Sequence, residues 1–172
     1  MNKFIIFILT IFISVPAYAF QADIEQVCFS PRGGCEQAII QQIDSAKTEI
    51  KVQAYSFTSA PIAKTLLNAH KRGIDVQVIL DKSQKSQSYS SYTFFKNQGI
   101  PVFIDTVHAI AHNKIMIIDK GIVITGSFNF TKAAEEKNAE NVLIIKSKEL
   151  ASQYLMNWSK HKNHSDSYSG RE

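Results

Sequence analysis

The chain has 172 residues, 45% of them hydrophobic and 20% charged, with a formal net charge of +4. Those values exclude a disordered or collagen-like polymer and bound the answer to one ordinary domain with a real core. The mild positive charge is compatible with a polyanionic partner without demanding one.

Residues 1–19 begin with a short basic stretch, Met1-Asn2-Lys3, followed by an apolar run over 4–15. Ala17 and Ala19 then form the small-x-small pattern of a signal-peptidase site. The alternative is a membrane anchor, but a span needs about 20 apolar residues. Export with cleavage is therefore expected, giving a periplasmic or secreted domain of residues 20–172 that has no membrane segment of its own. Cys28 and Cys35 bracket Phe-Ser-Pro-Arg-Gly-Gly. In an oxidising compartment the pair is expected to form a disulfide, for which a loop this short gives about 2–3 kcal/mol by chain entropy. Two free thiols are the alternative, and a metal site lacks a third ligand nearby.

Ala38, Ile39, Ile43 and Ala46 are spaced as on a helix, and residues 50–57 then alternate as in a half-buried strand. Ser59 or Ala60 opens a second helix, with Pro61 in its first turn and Gly73 as its stop. Residues 74–80 read as a strand, 82–99 as a polar loop running into a helix, and 100–105 as another strand. The apolar runs 115–118 and 122–125 form a hairpin around Asp119-Lys120-Gly121. A short helix at 131–136, a strand at 139–146 and a last helix at 147–161 complete the pattern. A polar tail from about residue 163 is expected to fray. Helices alternating with strands, then a hairpin, imply an α/β fold with a mixed β-sheet and helices on both faces.

The hairpin carries unexpected polar residues. Taking Lys120-Gly121 as the two-residue turn, with positive φ at Gly121, pairs Asp119 with Ile122. That register sets Lys114 across from Ser127 and His112 across from Asn129, all on one face. An imidazole, an ammonium, a hydroxyl and an amide would then surround one small anion. A phosphate suits them: Lys114 supplies charge, Ser127 and Asn129 neutral hydrogen bonds, and His112 a nucleophile or acid. A merely polar strand end is the alternative reading.

His112-x-Lys114, Asp119 and Gly126-Ser127-x-Asn129 match at every fixed position the H-x-K-x4-D-x6-G-S-x-N signature of the phospholipase D superfamily. Six fixed residue types make a chance match on the order of one in several hundred thousand for a chain this size. The chain is similar over about 35–160, and most resembles the small, single-motif bacterial endonuclease branch (Nuc-type). The resemblance implies a phospholipase D-like fold and a covalent phosphohistidine on His112. It also implies phosphate binding by Lys114 and Asn129, help from Ser127, and a Glu140 that orients His112. Asp119 belongs to the catalytic signature, although the turn position argues for a structural role.

Other residues invite weaker readings. His108 is a second acid only if residues 105–112 are extended; a loop is the expectation. His70 reads as surface, and His161 and His164, near the frayed end, as able at most to bind a metal adventitiously. Lys82 and Lys85, interleaved with Tyr89 and Tyr92, suit nucleic-acid contact; a solvated loop explains them equally. Arg32 is a weaker candidate of that kind. The carboxylates are scattered, so the chemistry is expected to need no metal cofactor.

The expected activity is metal-independent cleavage of nucleic acid, DNA or RNA, without sequence preference. A lipid-directed phosphodiesterase and a non-catalytic nucleic-acid-binding protein are the rivals. In-line displacement needs nucleophile and acid on opposite sides of phosphorus, and the chain has one motif copy. A homodimer with one composite active site is therefore expected.

Overall fold

The computed structural model describes residues 21–168; the export segment lies outside them. Eight strands form one sheet in the order β1-β7-β6-β5-β2-β3-β4-β8. They are β1 (Asp23–Ser30), β2 (Glu49–Ala54), β3 (Asp75–Asp81), β4 (Val102–Asp105), β5 (Lys114–Ile118), β6 (Ile122–Gly126), β7 (Glu140–Lys146) and β8 (Asp166–Tyr168). The helices are α1 (Cys35–Ser45), α2 (Ala60–Lys71), α3 (Ser91–Asn97), α4 (Lys132–Glu136) and α5 (Lys148–His164), with a 3-10 turn at Lys82–Lys85. β2, β3 and β4 are parallel, and every other pairing is antiparallel. This is the expected mixed α/β sheet.

Alternation along the strands divides the core into two layers. Val52, Val78, Val102, Met116 and Ile124 meet Ile39, Leu66 and Phe95 on the side of α1, α2 and α3. Ile79, Ile115, Ile117 and Val123 meet Ala151 and Trp158 of α5 on the other. Helix α2 is capped as its sequence implies: Ser59 Oγ accepts the Ile62 N–H at 3.2 Å, and Gly73 leaves the helix at φ 87°. Cys28 and Cys35 are joined in a disulfide, their Cα atoms 5.5 Å apart.

Three expectations need correction. β1 had no counterpart in the sequence reading, because its apolar Ile24, Val27 and Phe29 face outward while Cys28 and Ser30 face the core. The tail does not fray at 163: α5 runs through His164, and β8 then pairs with β4.

The third correction is the hairpin register. Ile118 pairs with Ile122 and Met116 with Ile124, so the turn has three residues, Asp119 to Gly121. Positive φ falls on Asp119 (51°) and Lys120 (54°), not on Gly121. The cause is the Asp119 carboxylate, which accepts from the N–H of Lys47 and Thr48 at 2.8 Å, from the N–H of Glu49 at 3.1 Å, and from Thr48 Oγ1 at 2.8 Å. Aspartate tolerates the left-handed region better than most residues, and these bonds hold it there.

Burial alone would raise the Asp119 carboxyl, but its backbone hydrogen bonds and the Thr48 hydroxyl hold it below the usual carboxylate range. A lowered folded-state value means that its contribution is full above the ordinary aspartate value of about 3.9 and is lost as pH falls through the folded-state value. Asp119→Asn keeps the turn geometry but not the charge. Urea unfolding at pH 7 should show a loss of about 1–2 kcal/mol after solvent screening. The gap to the wild type should narrow below about pH 4; a gap independent of pH would remove the carboxylate charge as its cause.

Candidate functional site

Because β1, β2, β3, β4 and β6 run one way and β5 and β7 run antiparallel to them, one end of the sheet collects specific residues. It gathers the starts of β5 (Lys114) and β7 (Glu140) and the ends of β2 (Ala54), β3 (Asp81), β4 (Asp105) and β6 (Gly126). The carboxyl end of parallel strands is where open α/β sheets place their ligands.

His112 lies two residues before β5, on the segment that follows β4, and is exposed. Its ring stands 4.6 Å from that of Tyr55, and the neighbouring Tyr55 N–H donates to the Asn113 carbonyl at 2.8 Å. Lys114 is only 8% exposed. Its Nζ donates to the His112 carbonyl at 2.7 Å and lies 5.1 Å from the centre of the Tyr55 ring. Burial pushes the Lys114 ammonium below the ordinary lysine value, and the charge of Glu140 pulls it part of the way back. The result is a compact cationic corner: an exposed imidazole, a desolvated ammonium beneath it, and an aromatic ring touching both.

The other predicted residues arrive by a different route than cross-strand opposition. A continuous ladder in the observed register would set Lys114 across from Gly126, so Ser127 and Asn129 are not its partners on β6. Beyond Gly126 the chain keeps alternating, with Phe128 and Phe130 in the core and Ser127 exposed. Ser127 turns to β7: its Oγ accepts the Asn141 N–H at 3.1 Å and the Asn141 side-chain amide at 3.3 Å. Asn129 Oδ1 is buried with no hydrogen-bond partner. Glu140 Oε1 accepts from Asn138 Nδ2 at 3.1 Å. Asp119 is spent on residues 47–49 at the turn, which makes it a structural rather than a reacting member of the signature.

The basic stretch fares unevenly. Lys82 Nζ donates to the His108 carbonyl at 3.0 Å. Tyr89 is among the most exposed side chains at 89%, whereas Tyr92 is buried. Arg32 donates its backbone N–H to the Glu135 carbonyl at 2.6 Å, at the entrance to α1.

Two residues that shape the site escaped the sequence reading. Tyr55 sits just past a strand end, where alternation gives no direction. Asp81 is buried at the end of β3, its Oδ2 accepting the Ala111 N–H at 2.7 Å and thereby fixing the approach to His112. His108 lies in a loop, as expected. His161 and His164, expected near a frayed end, converge with it on Asp105. Burial would raise that carboxyl, but the hydrogen bonds from His161, His108 and His164 hold it well below the usual carboxylate range.

A family profile described as cardiolipin synthase, PLD-like domain, matches residues 39–161. The phospholipase D of Rickettsia conorii is 50% identical over 131 residues, covering 76% of this chain and 66% of its own. The mitochondrial cardiolipin hydrolase of Canis lupus familiaris is 30% identical over 129 residues, covering 74% of this chain and 51% of its own. The matched region thus spans two thirds or less of these curated relatives. Among solved structures, the phospholipase D family member Nuc from Salmonella typhimurium superposes with a TM-score of 0.82 at 40% identity, covering 87% of this chain and all of that one. NucT from Helicobacter pylori superposes with a TM-score of 0.76 at 25% identity, covering 89% and 100%.

Gly126 carries a directly testable part of this geometry. It has φ 149°, and a Cβ there would run into the Asn141 carbonyl oxygen, far inside van der Waals contact. Gly126→Ala should push β6 from β7 and shift Ser127, lowering stability by about 2 kcal/mol or more. Phosphodiester cleavage should fall by more than the unfolded fraction explains. Full stability and rate in that variant would show that the close approach is dispensable.

Proposed function

The chain belongs to the family of phospholipase D-like domains, and on that premise we propose that it is a metal-independent phosphodiesterase, exported to the periplasm or beyond, that cleaves nucleic acid without sequence preference. The observation that carries this reading is the pairing of exposed His112 with buried Lys114 over Tyr55. A phosphate arriving there meets an ammonium partly stripped of water, which attracts an anion more strongly than a hydrated one does.

In the first step a neutral His112 ring nitrogen attacks phosphorus, the bond to the leaving ester oxygen breaks, and that oxygen takes a proton from an acid on the far side. In the second, water gives a proton to the same acid, its oxygen attacks phosphorus, and the phosphorus–nitrogen bond breaks to restore His112. Lys114 holds the charged oxygens, Asn129 and Ser127 supply neutral contacts, and Glu140 orients His112 while balancing Lys114. No carboxylate cluster is needed at phosphorus. Among the described residues the group able to hold a metal is Asp105 with His108, His161 and His164, which includes none of these.

The acid on the far side is His112 of a second copy, in a two-fold dimer with one composite site. Val107 and Ile110, on the segment leading to His112, are 64% and 58% exposed, which suits a surface covered by a partner copy. Lipid cleavage is the second reading, favoured by relatives named phospholipase D and cardiolipin hydrolase.

Supercoiled plasmid should be nicked by the purified protein in excess chelator at the same initial rate as without it, while phospholipid vesicles release no headgroup. Vesicle hydrolysis without plasmid cleavage would establish the lipid reading, and DNA binding without turnover a non-catalytic one.

Refolding equal amounts of wild type and His112→Ala tests the composite site. If both histidines serve one phosphate, about a quarter of the dimers stay active under random pairing. About half of full activity, or full turnover by a monomer, would refute the shared site.

A further inference from the structure

The last turn of α5 returns to the sheet edge and brings two histidines to a carboxylate that is completely buried. His161 Nδ1 lies 2.8 Å, His108 Nδ1 3.0 Å and His164 Nε2 3.4 Å from Asp105 Oδ2. One ligand atom from each of the four residues lies within 4.8 Å of the others. The other carboxylate oxygen is held by the backbone, accepting the N–H of Val107 at 3.2 Å and of His108 at 3.3 Å. His108 Nδ1 also lies 3.1 Å from this oxygen, so three imidazoles and two backbone N–H groups crowd a carboxylate with about four lone-pair sites to offer. A fold that only needed Asp105 satisfied would need one of these rings, not three.

The dimensions suit a cation in their midst. A tetrahedral ion with metal–nitrogen bonds of 2.0–2.1 Å has ligand atoms about 3.3–3.4 Å apart. The three distances to Asp105 Oδ2 run from 2.8 Å up to that spacing at 3.4 Å, and rotation of the partly exposed His108 and His164 rings adjusts the remaining separations. We propose that Asp105, His108, His161 and His164 form a structural metal site that takes one zinc-class divalent ion per chain. Three imidazoles and one carboxylate exclude magnesium and calcium, which favour all-oxygen sites, and fill four positions as structural zinc sites do. The hydrogen bonds on the second carboxylate oxygen supply the outer support that metal-binding carboxylates usually have.

The site ties two stretches far apart in sequence: the end of β4 with the loop after it, and the end of α5. That loop continues into His112 and is also held by Lys82 at the His108 carbonyl and by Asp81 at the Ala111 N–H. The ion would stiffen the approach to His112 without touching the phosphate. It stands independently of the phosphodiesterase reading, since chelation should lower the melting temperature while leaving the initial rate at low temperature unchanged.

The test uses the full exported chain, stripped with chelator, dialysed and titrated with Zn2+ alone. One equivalent per chain should bind with submicromolar affinity. The melting temperature should rise by about 5–10 °C once free metal is about a hundred times its Kd. Co2+ in place of Zn2+ should give the intense visible bands of four-coordinate cobalt. His161→Ala with His164→Ala should abolish both signals, and His70→Ala should leave them intact. If the double variant misfolds, His108→Ala, in an exposed loop, should still weaken binding at least tenfold. Absence of stoichiometric binding, the pale spectrum of six-coordinate cobalt, or unchanged binding in His108→Ala would each overturn the site.

Discussion

The hairpin register depends on the Asp119 carboxylate. It grips three consecutive backbone N–H groups between α1 and β2, which ties the β5–β6 turn to the strand beside it. Once that knot is formed, β5 can pair with β2 in only one way, Ile118 with Ile50 and Lys114 with Ala54. A slip of one residue would turn every side chain of β5 to the other face, driving Met116 and Ile118 into the α5 layer and Ile115 and Ile117 out of it. The signature aspartate therefore acts on the chemistry from the opposite end of the hairpin, by deciding where Lys114 emerges.

At the other end the same sheet makes a cation that is not at rest. Lys114 has lost most of its water and received in exchange one carbonyl, one aromatic face and a nearby carboxylate. A carbonyl hydrogen bond and a cation–π contact together return about 1–3 kcal/mol, less than the several kcal/mol that burying an ammonium costs. A bound anion would meet the shortfall, and the proposed phosphate site thereby accounts for a deep ammonium and a shallow imidazole. In the proposed mechanism His112 has to be reached by phosphorus, whereas the counter-charge is most effective where water cannot screen it.

What was legible in the sequence follows the range of the forces involved. Helices α1 and α2 and strands β2 to β7 were readable because periodicity and capping are local; Ser59, Pro61 and Gly73 mark α2 without reference to anything distant. The motif residues were legible as a set, and His112 with Lys114 do meet. Their assembly was misread, because the turn was judged from Lys120-Gly121 alone while residues 47–49 hold Asp119. Strand β1 was invisible since its outward face carries the apolar side chains, the reverse of a half-buried strand. Likewise His161 and His164 read as residues near a frayed end because their partner, Asp105, lies more than fifty residues away in sequence.

Those distant contacts share a logic. The segment carrying His112 has no ladder of its own between Asp105 and Lys114, so its position must be imposed from outside. Asp81 at the end of β3 takes its Ala111 N–H, and Asp105 at the end of β4 takes the N–H groups of Val107 and His108. Two buried carboxylates at adjacent strand ends thus do for this loop what Asp119 does for the turn at the other end of β5. Backbone amides held by ionised carboxylates are stronger anchors than neutral hydrogen bonds, by about a factor of two. A nucleophile placed on a loop gains access to substrate, and one anchored at both ends gains the fixed geometry that in-line attack requires. The three histidines at Asp105 extend that anchoring to the C-terminal helix, so the last turn of α5 and the start of the loop that leads to His112 share one carboxylate.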